Sequence, residues 1–305
     1  MEVNLEDCTK SPELPSHQYL VETKEGVAVN TRYTRVSTLY RCDASPTTVE
    51  LMYDSLTKTH IVLKRLNKAR IFTNAQVESA RREVEIHRSL HHINIVELLD
   101  HCETDSEFLM LMEFTPRHDY FTERIEVNNR PFNTKPDGDV EKLKSFSFDI
   151  LRGLEYIHKC GVIHMDMKPG NLFLKPEVVH TEYPIVKIGD FGLSRRIDSS
   201  GGTYIEKECG TAKYIAPEVK NGAWVTTAVD IWCFGLIMHV LTVGFSPYVL
   251  KWTPGQEVPF NRRYWRKYLD TGLTDLISQC LKLEPSERIT ASQALDHFWF
   301  NCAVD

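Results

Sequence analysis

Residues 27–137 contain no glycine. Glycine reaches positive φ without steric cost and lets backbone N–H groups approach a ligand closely. A glycine-rich anion-binding turn is therefore excluded from that stretch. The eight cysteines are scattered and no two form C-x-x-C, so neither a zinc site nor a disulfide framework is signalled. Such thiol usage fits a reducing, intracellular setting, cytoplasm or nucleus. No apolar run is long enough to span a bilayer. The longest, Ile231 to Phe245, is interrupted by His239 and reads as a buried core helix. No basic cluster with interleaved aromatics occurs, and the net charge of −6 gives no footprint for nucleic acid or membrane. Met1-Glu2-Val3-Asn4 lacks the basic and apolar regions of a signal peptide. Glu2 also stands where myristoylation needs glycine, so that anchor is not expected. No internal repeat or low-complexity tract is visible.

What is present is an ordinary globular composition, 42% apolar and 26% charged over 305 residues. A chain of this length can bury the core of one two-lobed domain or two small ones. Residues 1–30 are polar and acidic and read as an N-terminal extension. From Tyr33 to Leu66 the pattern is strand-like, with Val49–Tyr53 and Ile61–Lys64 separated by a polar turn at Thr57-Lys58-Thr59. Asn74 to Leu90 reads as a helix, followed by strand-like runs at Ile95–Leu99 and Phe108–Phe114. Phe121 to Gly138 is a polar connector. Asp139 to Lys159 has the period of an amphipathic helix, with Leu143, Phe146, Phe148, Ile150, Leu151, Leu154 and Ile157 as its apolar residues. Further helices are expected at 227–243, 263–283 and 291–298. A β-rich part thus precedes a helix-rich part, the change falling near Thr115, which makes the fold class α+β.

The chemistry concentrates in His164-Met165-Asp166-Met167-Lys168-Pro169-Gly170-Asn171, flanked by Val162-Ile163 and Leu172-Phe173-Leu174. A carboxylate, an ammonium and a carboxamide share one short loop. A second carboxylate follows a strand-like run at Lys187-Ile188-Gly189-Asp190, and Phe191-Gly192 completes Asp-Phe-Gly. Phosphoryl transfer needs such a set: an acid to orient a hydroxyl, a cation beside the moving phosphate, and oxygen donors for Mg²⁺. The loop resembles the H-R-D-x-K-x-x-N catalytic loop of eukaryotic-type Ser/Thr protein kinases, and Asp190-Phe191-Gly192 resembles their metal-binding DFG. The resemblance extends over roughly residues 33–300. Gly210-Thr211-Ala212-Lys213-Tyr214-Ile215-Ala216-Pro217-Glu218 resembles G-T-x-x-Y-x-A-P-E. Asp230-Ile231-Trp232-Cys233-Phe234-Gly235 resembles D-x-W-x-x-G. Pro285-Ser286-Glu287-Arg288 resembles the late segment whose arginine pairs with the A-P-E glutamate, so a buried Glu218–Arg288 pair is expected.

The resemblance implies a two-lobed protein kinase fold, with an N-lobe over 31–114 and a C-lobe over 115–305. It implies an ATP- and Mg²⁺-dependent transfer to a Ser/Thr hydroxyl of a protein substrate. Asp166 would orient or deprotonate the hydroxyl and Lys168 would neutralise the transferring phosphate. Asn171 and Asp190 would hold Mg²⁺. Lys64 would hold the α/β-phosphates, paired with Glu83 or, as the alternative, Glu85. Val49 would cover the nucleotide, the Glu113 carbonyl and Thr115 N–H would bond the adenine edge, and Asp119 would lie near the ribose. Lys168 and Thr211 both fit hydroxyl substrates of the Ser/Thr type.

Two departures stand out. The G-x-G-x-x-G-x-V loop is absent: with its valine on Val49, the glycine positions hold Cys42, Ala44 and Thr47, while Pro46 lacks an N–H and Asp43 adds negative charge. The arginine of H-R-D is Met165, so the contact by which that arginine docks a phosphorylated activation loop is lost, although Ser199, Ser200, Thr203 and Tyr204 lie in the loop. Gly170 stands where kinases preferring basic substrates often carry glutamate. The runner-up reading is a pseudokinase, a binding or scaffold protein without useful catalysis.

Overall fold

The computed structural model describes residues 20–23, 26–29, 32–71, 73–116, 120–123, 132, 139–176, 183–265, 268 and 271–301, with side chains from Arg32 onward. They fall into two compact units. One comprises the described residues up to His92 together with Val96–Thr115; the other comprises Ile93–Ile95 and the described residues from Pro116 onward. Regular structure begins inside the stretch read from sequence as a polar extension. Leu20–Thr23 (β1) and Gly26–Val29 (β2), both containing valine, pair antiparallel with Leu20 opposite Val29.

In the first unit Tyr33–Arg41 (β3), Thr47–Asp54 (β4), Thr59–Asn67 (β5), Leu98–Glu103 (β6) and Glu107–Glu113 (β7) form one antiparallel sheet in the order β3-β4-β5-β7-β6. The two-residue period of β5 sorts its side chains between the faces. Ile61 and Leu63 join Tyr33, Met52, Leu109 and Leu111 in one apolar cluster. Leu66 joins Leu98, Phe108 and Met110 in the other, which the helix Asn74–His87 (α1) covers through Val77, Ala80 and Val84. Alternation places Lys64 on this helix-covered face. A reciprocal capping box between Thr73 and Gln76 starts α1. The helix ends at His87 rather than Leu90, where the Ser89 hydroxyl donates to the Ile86 carbonyl at 2.7 Å. The strand expected at Ile95–Leu99 begins only at Leu98. Ile95 instead bridges Ile188, and Asn94 donates through Nδ2 to the Val186 carbonyl at 3.0 Å.

The second unit is built on the helices Asp139–Lys159 (α2), Ala228–Val243 (α3), Leu273–Cys280 (α4) and Ala291–Leu295 (α5). Between α2 and α3 run Val162–Ile163 (β8), Leu172–Lys175 (β9), Ile185–Ile188 (β10), Arg195–Arg196 (β11), Thr203–Ile205 (β12) and Ala223–Val225 (β13). They pair as β8 with β11, β9 with β10 and β12 with β13, all antiparallel. α3 is buried from Val229 to Val243, as its continuous apolar sequence requires. No helix among the described residues is long and apolar enough to cross a membrane. On α2, Leu143, Phe146, Ile150, Leu151, Leu154 and Ile157 are buried, whereas Phe148 is exposed and meets Phe300 edge-on with centroids 5.5 Å apart. Of the helix expected over 263–283, Arg262–Trp265 is helical and Tyr268 is already in a turn; Gly272, at a φ of 85°, then precedes α4.

Arg288 anchors this unit. Its guanidinium donates to Glu218 Oε1 and Oε2 at 2.5 and 2.8 Å and to the carbonyls of Ala228, Lys282 and Leu283, so all five N–H groups are used. It also lies 4.8 Å from the Trp232 ring centroid. Loss of one partner from such a buried pair typically costs about 3–5 kcal/mol.

His239, in the middle of α3, is fully buried beside the rings of Phe245, Phe260 and Trp265. Its Nδ1–H donates to the Phe245 carbonyl at 2.8 Å, and its buried Nε2 has no partner. Burial pushes its pKa from 6.5 down to about 4, against the weaker upward pull of that hydrogen bond. The unfolded chain therefore binds a proton that the folded one refuses. His239 costs nothing above about pH 6.5, destabilises increasingly as pH falls toward 4, and levels off below. The full effect is about 3 kcal/mol. Urea unfolding at a series of pH values should show this loss in wild type and not in His239→Phe. Parallel profiles for the two proteins would contradict it.

Candidate functional site

In the first unit, β5 and α1 bring together the residues that sequence pairs as Lys64 and Glu83. Lys64 Nζ lies 2.6 Å from Glu83 Oε1, and both side chains are largely buried. Glu85, the alternative, is on an exposed position of α1. Val49 on β4 stands directly opposite Lys64 in the antiparallel register, so both project from the same face of the sheet. Glu113 ends β7; its N–H donates to the Glu97 carbonyl at 3.0 Å and its Oε1 accepts from Glu97 N–H at 2.9 Å. Thr115 is buried. Asp119 lies outside the described residues.

The turn joining β3 to β4 holds Cys42, Ala44 and Thr47. Ser45 N–H donates to the Cys42 carbonyl at 3.1 Å and Thr47 N–H to the Ser45 hydroxyl at 3.1 Å, while Pro46 has no N–H. Arg70 donates to the Asp43 carbonyl. No residue of the turn takes positive φ. This geometry needs no glycine, and it spends the Ser45 and Thr47 donors internally.

In the second unit the loop after β8 gathers around Asp166. Lys168 Nζ donates to Asp166 Oδ2 at 2.6 Å, and Thr211 Oγ1 donates to Oδ1 at 2.7 Å. Lys168 also reaches Thr211 Oγ1 at 3.0 Å. Asn171 Nδ2 donates to the Asp166 carbonyl at 2.8 Å and lies 3.3 Å from Oδ2. Its amide nitrogen is thus committed, which makes Oδ1 the atom turned to other partners. Gly189 N–H donates to the Asn171 carbonyl at 3.0 Å, tying the end of β10 and the adjacent Asp190 to the loop. Asp190 is exposed and takes a φ of 64°. Phe191 is buried against the His164 ring, centroids 5.1 Å apart.

The loop's conformation is imposed from beneath. Asp230 on α3 is fully buried and accepts from His164 N–H at 2.8 Å, Met165 N–H at 2.9 Å and His158 Nε2 at 2.9 Å. Met165 has a φ of 70°, unfavourable for a bulky residue, and its N–H is one of these donors. The Ser194 hydroxyl donates to the His164 carbonyl at 3.1 Å. Sequence reasoning identified Asp230 only within D-x-W-x-x-G and Thr211 only as a marker of substrate type. It missed His158, whose position on the polar edge of α2 carries no local signal of a partner so distant in the chain.

Oxygen donors from a carboxamide and a carboxylate suit a hard cation. Among the described residues no group of three or more His, Cys, Asp or Glu side chains could cage a metal. Asn171 Oδ1 and the Asp190 carboxylate are oxygen donors of the kind Mg²⁺ takes beside phosphate oxygens.

A model of the protein kinase domain matches residues 45–300. The chain belongs to the protein kinase family. Its fold is the α+β, two-lobed kinase fold, with a β-rich lobe and a helical lobe. It is 30% identical over 250 residues to a probable myosin light chain kinase of Dictyostelium discoideum, covering 80% of this chain and 60% of that protein. It is 33% identical over 243 residues to the serine/threonine-protein kinase plk-1 of Caenorhabditis elegans, covering 78% and 34%. It is 31% identical over 258 residues to calcium-dependent protein kinase 4 of Plasmodium falciparum, covering 82% and 46%. The kinase domain thus spans less than two thirds of the length of each of these relatives.

Proposed function

We propose that this kinase domain is catalytically active, a serine/threonine protein kinase that transfers the γ-phosphate of ATP to a protein hydroxyl. The observation that carries the reading is the arrangement at Asp166. Its carboxylate already accepts an aliphatic hydroxyl, that of Thr211, at 2.7 Å, with the Lys168 ammonium touching both groups. A substrate serine or threonine offers the same donor. Asp166 would orient that hydroxyl and take its proton, and Lys168 would hold charge on the group in transit. Asn171 and Asp190 would hold Mg²⁺, whose charge would neutralise the phosphate oxygens. Lys64, fixed by Glu83, presents a point charge to the α/β-phosphates. Val49, the Glu113 carbonyl, the Thr115 N–H and Asp119 complete the proposed nucleotide contacts.

The pseudokinase reading is favoured by one observation, the turn at 42–47. Its intact alternative, the full set Lys64, Glu83, Asp166, Lys168, Asn171 and Asp190, supports activity. Lys64→Met and Asp190→Asn should each lower phosphotransfer by at least a hundred-fold, since each removes several kcal/mol of charge stabilisation. Thermal unfolding should stay near wild type in Asp190→Asn, at an exposed position, and fall in Lys64→Met, which strands the buried Glu83 carboxylate. Near-normal turnover in either variant would remove that residue from the site.

The turn sets a second expectation, for affinity. Hydrogen bonds to a charged acceptor are worth roughly 1.5–3 kcal/mol each. With its donors used internally, the turn offers few to the phosphates, so ATP should bind weakly and with strong Mg²⁺ dependence. Glycines at Cys42, Ala44 and Thr47 together should tighten ATP by about ten-fold or more, because about 1.4 kcal/mol is a factor of ten. Calorimetry with ATP and Mg²⁺ decides. Micromolar binding by wild type, unchanged by the graft, would mean that the phosphates are held by another geometry.

A further inference from the structure

The segment between Asp190 and Glu218 has no arginine before Asp166 to hold it through a phosphate, yet it is tied down along its length. Beyond β11, Asp198 N–H donates to the Gly202 carbonyl at 2.8 Å. β12 then pairs with β13, Tyr204 directly opposite Trp224. Past the end of β12, Gly222 N–H donates to the Glu206 carbonyl at 3.2 Å, and Glu208 N–H to Asn221 Oδ1 at 2.7 Å. Cys209, Gly210 and Thr211 follow Glu208 directly, and Thr211 donates to Asp166. Only Cys209 and Gly210 separate Glu208 from Thr211, so at no more than about 3.6 Å per residue the link between the Asn221 clamp and the Thr211 contact with Asp166 is short.

Two glycines make the pairing possible. Each strand's aromatic lies over a glycine of the opposite strand's approach. A Cβ on Gly202 would meet Trp224 Nε1 at 2.5 Å and the Val225 carbonyl oxygen at 2.6 Å. A Cβ on Gly222, at a φ of +69°, would meet the Tyr204 hydroxyl at 3.0 Å. Both aromatics remain exposed on their outer sides. A pair of three-residue strands is marginal by hydrogen bonding alone; the crossed aromatic–glycine contacts add the packing that it lacks.

We propose that residues 221–225 are a built-in strut that holds the activation segment ordered without phosphorylation, and that Asn221, Gly202 and Gly222 are positioning residues acting on Asp166 through Thr211. Its catalytic consequence rests on the function proposed above; the strut itself does not.

The test is amide hydrogen exchange of the full chain beside phosphotransfer kinetics, for wild type, Gly202→Ala, Asn221→Ala and Asn221→Asp. Exchange over 203–209 should quicken at least ten-fold in Gly202→Ala and Asn221→Ala, with α3 unchanged. In those two variants kcat should fall ten-fold or more while KM for ATP stays within about two-fold. Asn221→Asp keeps an acceptor for Glu208 N–H and should restore both readouts. Phosphatase treatment should leave wild-type turnover intact. Equal exchange over 203–209 in all four proteins, or loss of wild-type activity on dephosphorylation, would overturn the strut. If wild type transfers no phosphate at all, the proposed function fails, and the exchange data alone then decide the strut.

Discussion

The buried carboxylate of Asp230 is the contact on which the rest of the site depends. A buried charge in the first turn of an apolar helix is tolerated only if its lone pairs are filled, and here three N–H groups fill them: the backbone of His164 and Met165 and the ring of His158. The consequence runs outward. Fixing two consecutive amides fixes the backbone just before Asp166, including the left-handed turn at Met165. That turn aims Asp166 at Lys168, Asn171 and Thr211. The helix that buries Asp230 is also clasped by Arg288, which donates to the Ala228 carbonyl at its first residue and lies over Trp232. Core packing and catalytic geometry thus share one helix.

The two departures from the family pattern have a common physical theme: a charged or glycine-dependent device is replaced by backbone geometry. Where family members use glycines near phosphate, the 42–47 turn closes on its own donors and never visits positive φ. Where they use an arginine to receive a phosphate, Met165 is buried, and the segment it would have held pairs β12 with β13. On the proposed function, the first change would weaken a nucleotide contact and the second would remove a need for modification.

Much of this was legible in the sequence, for unequal reasons. α2 has the bounds its periodicity predicts, and α3 is as buried as its apolar run requires, because burial pattern and helical period are local properties. The Glu218–Arg288 pair and the choice of Glu83 over Glu85 came from resemblance, since partners so far apart in the chain leave no local trace. Phe148 is apolar but falls off the 3.6-residue period of Leu143, Phe146, Ile150, Leu154 and Ile157, so it is exposed on the other side of α2, where it meets Phe300. The stretch expected as one helix over 263–283 holds Arg262–Trp265 and, after a left-handed Gly272, Leu273–Cys280. β12 and β13 were not readable at all: strands of three residues have no period, and the glycines that permit their pairing look like ordinary loop glycines until the aromatics are seen above them.

The central claim is that the Asp166 arrangement performs phosphoryl transfer to protein hydroxyls. The direct measurement is incorporation of label from γ-labelled ATP with Mg²⁺ into a generic protein acceptor, by wild type and by Asp166→Asn, followed by phosphoamino-acid analysis. Label on serine and threonine but not on tyrosine, lost by at least a hundred-fold in Asp166→Asn, is the result predicted. Incorporation by wild type no greater than by Asp166→Asn would contradict the claim and leave a kinase fold that binds without catalysing.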